Sequence, residues 1–142
     1  MMVEQPTRAA IGARIPLWIT IVVILGALLS LVGAVVSKVD PTLLTGGGAL
    51  TDAARVYADY TFARDLAVSI VLLTLLAVRA RLPLASVMTL VALIQIIDTL
   101  DDLTRGAFAL APGLLIYAIV FLLAAWTLVG RPGWRLGARR AD

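Results

Sequence analysis

The chain has 142 residues, 61% of them hydrophobic, with a mean hydropathy of +1.01 and a formal net charge of +3. Soluble domains contain roughly 45–50% apolar residues, so this composition excludes a soluble globular protein and predicts an integral membrane protein. Cysteine and histidine are absent, which excludes disulfides, thiol nucleophiles, imidazole chemistry and the usual zinc and haem ligands, and we expect no metal and no cofactor.

The first predicted element is a membrane span at residues 17–36, which reads LWITIVVILGALLSLVGAVV and carries no charge. A bilayer core about 30 Å thick requires roughly 20 apolar residues in helical form, and this run has that length. Within the span, Gly26, Ser30 and Ala34 recur at every fourth position. Such a strip of small residues allows a neighbouring helix to approach closely. Residues 37–59 are predicted to form an outer loop and a helical extension.

The second span is predicted at residues 60–78, at the end of a helix that begins well before it. The purely apolar part of this helix begins only at Leu66 and is too short to cross the bilayer alone. The membrane must therefore include about two more turns of the same helix. Those turns bring Arg64 and Asp65 into the hydrocarbon layer.

Two further spans are predicted at residues 84–103 and 112–129, followed by a basic tail at residues 130–142. Four aromatic residues fit belts at the membrane interfaces: Trp18, Tyr117, Trp126 and Trp134. Four spans joined mostly by short turns predict one all-α membrane domain, folded as an antiparallel four-transmembrane-helix bundle.

The charges divide unequally between the two sides of this bundle. One side comprises the N-terminus, the turn at residues 79–83 and the tail. It carries a net charge of +6: Arg8, Arg14, Arg79, Arg81, Arg131, Arg135, Arg139 and Arg140, with Glu4 and Asp142. The other side carries a net charge of −3. The positive-inside rule then predicts a bacterial cytoplasmic membrane protein with both termini in the cytoplasm. The basic tail is interpreted as an orientation and anionic-lipid signal rather than a nucleic-acid binding segment.

Two opposite charges are predicted at the same depth on neighbouring helices. Arg64 lies as many residues before Arg79 as Asp98 lies after Pro83. At about 1.5 Å per residue, both charges lie roughly 22 Å above the inner surface. An ionisable residue within a membrane usually faces the bundle interior or a wet cavity and has a partner.

Further polar residues share helix faces with these two charges. In the third span they recur at spacings of three and four, which places them in one stripe: Gln95, Asp98, Asp102 and Arg105. A similar stripe lies on the second helix: Tyr57, Tyr60 or Thr61, and Arg64. On that helix Arg55 and Asp59 have the spacing of an i, i+4 ion pair.

The stripes predict an outward-facing polar pocket in which Asp98 is the candidate catalytic acid or base. The predicted ligand-binding residues are Arg64, Gln95, Tyr60, Asp102, Asp65 and Tyr57. A structural alternative stays open, because Arg64 and Asp98 can form an ion pair that only fixes the helix register. Asp101 and Asp102 can likewise be solvated charges at a helix end. Helical geometry separates Asp101 from its two neighbouring carboxylates, which disfavours a calcium site.

The segment FARDLAVSIVLLTLLAVRAR, followed by ALIQIIDTLDD and a last apolar helix, resembles the DoxX-like group of small four-span bacterial membrane proteins. The shared features are an arginine near the outer start of the second span, here Arg64, and an aspartate late in the third, here Asp98. The resemblance covers roughly residues 15–130. It implies a four-span fold, and many members of the group have no assigned function.

Three functions fit this pattern. The first is the binding, and in one version the transformation, of a small lipophilic molecule such as a quinone, an isoprenoid or a sterol-like compound. The second is an accessory or scaffold subunit, with another membrane protein or a second copy of the chain as its partner. The third is a small transporter or channel, which ranks last because transporter sites usually lie at the bilayer midplane. Whether the protein is an enzyme stays open.

Overall fold

The structure is a computed structural model that describes residues 15–45, 50–104, 106, 108 and 111–130. The described residues contain four α-helices, α1 (Leu17–Val39), α2 (Asp52–Ala77), α3 (Arg81–Thr104) and α4 (Ala111–Val129), a 3-10 helix (Pro41–Thr45) and no strand. Each α-helix is long and apolar enough to cross a membrane. This confirms the prediction of an all-α protein with four membrane-length helices.

Some of the sequence predictions concern residues outside the described part of the chain. These are the N-terminal charges Glu4, Arg8 and Arg14, the stripe residue Arg105, Trp134, and the basic tail beyond Gly130.

The turn between α2 and α3 is short because α2 ends in a Schellman motif. The Ala80 N–H donates to the Leu75 carbonyl at 3.0 Å, and the Arg79 N–H donates to the Leu76 carbonyl at 3.1 Å. Arg79 adopts the left-handed conformation that closes this motif, with φ of 55°. α3 then begins at Arg81 and includes Pro83 in its first turn, where the missing N–H breaks no helical hydrogen bond. The two helices are therefore held as neighbours.

α1 and α2 pack as antiparallel neighbours. Ser69 contacts Ala27 in the middle of the pair, and Asp59 contacts Lys38 nearer the connecting segment. α1 packs most extensively on α2, and α3 packs most extensively on α4. One hydrophobic core joins both pairs, and its largest members come from all four helices: Ile19, Val23, Leu72, Leu84, Met88 and Phe121. The chain thus forms a bundle of two helical hairpins.

The strip of small residues on α1 is buried, as its spacing predicts. At Gly26, a Cβ atom would overlap the ring of Phe121 and would lie 2.8 Å from the Tyr117 hydroxyl oxygen. The α4 aromatic side chains therefore pack directly onto the α1 backbone. Glycine is required at this position because no larger residue leaves room for the two rings.

The bundle has two ends with different chemistry. The hairpin end comprises the α2–α3 turn, the start of α1 and the end of α4. The loop end comprises the 3-10 helix, the first turns of α2 and the last turns of α3. At the loop end, the side chain of Thr51 caps the start of α2 by accepting a hydrogen bond from the Ala54 N–H at 3.2 Å.

Candidate functional site

Three charged side chains meet between α2 and α3, toward the loop end of the bundle. Arg64 Nε lies 3.1 Å from Asp65 Oδ1, and Arg64 Nη1 lies 3.2 Å from Asp98 Oδ2. The side chains are partly buried, with exposed fractions of 35% for Arg64, 17% for Asp65 and 31% for Asp98. We call these three residues the ion triad. It links the α1–α2 hairpin to the α3–α4 hairpin.

A glycine on α1 makes room for one carboxylate of the ion triad. A Cβ atom added at Gly33 would lie 2.8 Å from Asp65 Oδ2, closer than ordinary contact. The Asp65 side chain therefore extends from Arg64 to the α1 backbone, and three helices meet at the triad. The strip of small residues through Gly26 is recognisable in the sequence, whereas Gly33 is not, because a single glycine in an apolar span gives no pattern.

Gln95 lies one turn from Asp98 on α3, on the side nearer the hairpin end. Its Oε1 atom is buried and has no hydrogen-bond partner among the described residues. Burying a polar atom in this way costs about 1–3 kcal/mol, and native structures contain few such atoms. By its spacing Gln95 lies on the same face of α3 as Asp98, and its side-chain carbonyl accepts no hydrogen bond from the described residues.

A second unused polar atom belongs to Tyr117 on α4. Its hydroxyl oxygen is buried beside Ser30, and the two groups do not meet with hydrogen-bond geometry in the described structure. The Tyr117 ring packs against Phe121, with centroids 4.3 Å apart and planes tilted by 52°. By its sequence position Tyr117 fits an interfacial belt, and in the structure its hydroxyl oxygen is enclosed within the bundle. Along α4, Tyr117 lies as far from Val129 as Gln95 lies from Pro83 along α3.

The remaining predicted site residues lie farther out. Tyr57 is close enough to Arg64 to interact with its charge, yet 51% of its surface is exposed, and Tyr60 is 73% exposed. Asp102 is half-buried and close enough to Asp98 to repel its charge. The structure therefore brings Arg64, Asp65 and Asp98 into contact with one another. It does not bring Tyr60 into that group.

The predicted ion pair between Arg55 and Asp59 does not form. Asp59 pairs instead with Lys38 of α1 at 2.7 Å, and the Lys38 ammonium lies 5.8 Å from the centre of the Phe62 ring. Arg55 has no ion pair within the described part of the chain. The prediction was wrong because Lys38 approaches from a neighbouring helix, which a spacing rule within one helix does not consider.

Two cavities lie at the ends of the bundle. At the loop end, a cavity of about 220 Å³ is lined by Ser37, Lys38, Pro41, Leu50, Arg55, Ala58 and Asp59. At the hairpin end, a cavity of about 380 Å³ is lined by Ile15, Thr20, Leu76 and Arg79. Neither of these two cavities is lined by the ion triad or Gln95.

Comparisons with known proteins give no match, since no family model, no curated protein and no solved structure is significantly similar to this chain.

Proposed function

We propose that this chain is a bacterial plasma-membrane protein, related to the DoxX-like group, that binds a small lipophilic molecule at the ion triad and Gln95. Both termini lie in the cytoplasm, so the hairpin end is cytoplasmic and the loop end faces outward. The orientation rests on the excess of arginine at the hairpin end and in the termini. The bound molecule enters from the outer leaflet.

The observation that carries this proposal is the buried Oε1 atom of Gln95, which has no hydrogen-bond partner among the described residues and belongs to a residue one helical turn from Asp98. A ligand hydroxyl would donate to this oxygen and remove the cost of leaving it unpaired. Arg64 contributes the complementary group, because its guanidinium has five N–H donors and the contacts to Asp65 and Asp98 use only its Nε and Nη1 atoms. The site therefore suits a lipophilic alcohol, a quinol or another molecule with a polar head and an apolar body.

Fold stability is a weak reason for the ion triad. Replacing a buried set of ion pairs by apolar residues of similar size is often neutral or stabilising, because removing charges from water is costly. Ionisable residues within membranes more commonly mark binding sites or proton pathways. Packing alone does not explain the presence of these charges. Binding of a ligand to the free hydrogen-bonding groups of the triad would explain it.

If the bound molecule is also transformed, Asp98 is the candidate acid or base. Its carboxylate is partly exposed and contacts Arg64 alone within the ion triad, whereas Asp65 is enclosed between Arg64 and α1. The Asp98→Asn variant keeps the size of the side chain and removes proton transfer at this atom. We expect it to retain the bound molecule and to lose turnover.

The binding proposal is tested by native mass spectrometry after extraction into lipid nanodiscs. The wild type should carry an additional small lipophilic mass, and Gln95→Leu should lose it while remaining as stable as the wild type, because leucine leaves no unpaired carbonyl. The matched control is Thr89→Val, which changes an exposed residue of the same helix whose hydroxyl bonds only to the Ala85 carbonyl. Equal occupancy in the wild type and Gln95→Leu would refute the proposal.

A second candidate is an accessory subunit of a larger membrane complex. The observation that favours it is the exposure of α2. Only 11% of its most apolar window is buried within the chain, whereas the corresponding buried share in the other three helices is 28–33%. A partner helix would cover this surface. Co-purification of a second polypeptide at fixed stoichiometry, lost on substitution of the exposed Ile70 and Leu73, would support this function over the first.

A further inference from the structure

In the α2–α3 turn, a residue with a long side chain occupies a backbone position that favours glycine. Arg79 occupies the left-handed position of the Schellman motif, with φ of 55°. Glycine is the usual residue here, because any Cβ atom is strained in this conformation. An arginine at this position has a conformational cost, so its side chain needs a role that the turn itself does not provide.

The Arg79 side chain lines the hairpin-end cavity of about 380 Å³. Two apolar residues, Ile15 of the segment before α1 and Leu76 of α2, line the same cavity. Thr20 completes the lining, and its hydroxyl points to the Pro16 carbonyl at 3.4 Å. The cavity at the hairpin end therefore combines one cation with apolar walls.

A second guanidinium group follows two residues later. The Nε atom of Arg81 is buried and lacks a hydrogen-bond partner among the residues described. Neither Arg79 nor Arg81 forms an ion pair with any described carboxylate. All the described carboxylates belong to the loop-end half of the bundle: Asp40, Asp52, Asp59, Asp65, Asp98, Asp101 and Asp102. Among the described residues, no carboxylate competes for the exposed Arg79 guanidinium, which leaves it available to an anionic ligand.

We propose that the hairpin-end cavity binds the headgroup of an anionic phospholipid. The lipid phosphate pairs with Arg79, the cation that lines the cavity, since guanidinium groups bind phosphate oxygens well. The first methylene groups of the acyl chains lie along Ile15 and Leu76. A lipid fits better than a free phosphate ion, because apolar walls contribute nothing to binding an inorganic anion. This site is distinct from the ion triad and does not depend on the function proposed for it.

The test uses the full chain in nanodiscs made of phosphatidylglycerol and phosphatidylcholine in equal amounts, with native mass spectrometry of the lipids that remain bound after release. The wild type should retain phosphatidylglycerol preferentially. Arg79→Gly should weaken that preference about fivefold, the effect of removing one basic residue near the membrane surface. Its melting temperature should equal or exceed that of the wild type, because glycine relieves the backbone strain.

The matched control is Arg55→Gln, which removes one positive charge at the loop end, where Arg55 also lines a cavity. It should leave the lipid preference unchanged. The proposal is overturned if Arg79→Gly retains phosphatidylglycerol as the wild type does, or if Arg55→Gln weakens retention equally, which would indicate net charge alone. It is also overturned if inorganic phosphate in lipid-free detergent raises the melting temperature as much as phosphatidylglycerol, because the site would then bind a free anion.

Discussion

The two ends of the bundle differ in how their positively charged side chains are paired. At the loop end, Lys38 contacts Asp59, and Arg64 lies between Asp65 and Asp98. At the hairpin end, the two described arginines have no carboxylate within reach in the described structure. Lys38 and Arg64 at the loop end therefore pair with carboxylates of the protein, whereas no described carboxylate pairs with Arg79 or Arg81. Loss of one charge of the ion triad should change stability and the retention of the bound molecule, whereas loss of Arg79 should change the response to lipid.

Within the loop end, burial separates two kinds of ion pair. The side chains of Lys38 and Asp59 are 58% and 62% exposed, so water competes for both charges. The ion triad is less exposed, and its charges depend more on one another. We therefore expect the largest effects from substitution of buried groups and the smallest from substitution of the exposed pair.

The largest loss of stability is expected from Arg64→Met. This change leaves Asp65 and Asp98 partly buried without their cation, and we expect the free energy of unfolding to fall by about 2–3 kcal/mol. Asp98→Asn should cost less, because Arg64 still contacts Asp65. Denaturant titration in detergent micelles measures both values. A smaller loss in Arg64→Met than in Asp98→Asn would contradict the arrangement of one cation between two carboxylates.

Adding one methyl group to α1 should have the next largest effect. In Gly26→Ala the new Cβ atom overlaps the fully buried Phe121 ring, and such overpacking costs about 1–3 kcal/mol. The matched control is Gly113→Ala on α4, where nothing lies within 4 Å of the added atom. The control should be neutral or slightly stabilising. Equal melting temperatures for the two variants would show that α4 does not pack on α1 at Gly26.

Loss of one buried hydrogen bond between helices should have a moderate effect. The Ser69 hydroxyl donates to the Ala27 carbonyl at 2.6 Å, and hydrogen bonds between membrane helices contribute about 0.6–1.7 kcal/mol. Ser69→Ala should lower the free energy of unfolding by an amount in this range. The control Ser86→Ala removes an exposed hydroxyl that bonds only within its own helix, to the Leu82 carbonyl, and should have no measurable effect.

The smallest effect is expected at the exposed pair. Lys38→Met should change the free energy of unfolding by less than about 0.5 kcal/mol, because surface ion pairs contribute little. The difference from the wild type should shrink further at high salt, which screens the pair. A loss comparable to that of Arg64→Met would contradict the contrast between exposed and buried pairs.

Hydropathy and helix geometry were sufficient to predict the four helices, and counting residues from the turn placed Arg64 and Asp98 at one depth. These features depend on chain-local quantities such as span length and rise per residue. The roles of Gly33, Tyr117 and Lys38 depend on contacts between helices. Spacing within one helix carries no information about those contacts, so Asp59 was assigned to the wrong partner.

The central claim is that the ion triad serves a bound molecule and not the stability of the fold. The most direct test replaces all three charges at once, in a variant with Arg64→Met, Asp65→Leu and Asp98→Leu, and measures both the free energy of unfolding and the lipophilic mass retained. We predict a stability within about 1 kcal/mol of the wild type or above it, and no retained molecule. A loss of several kcal/mol, or wild-type retention of the molecule, would contradict the claim.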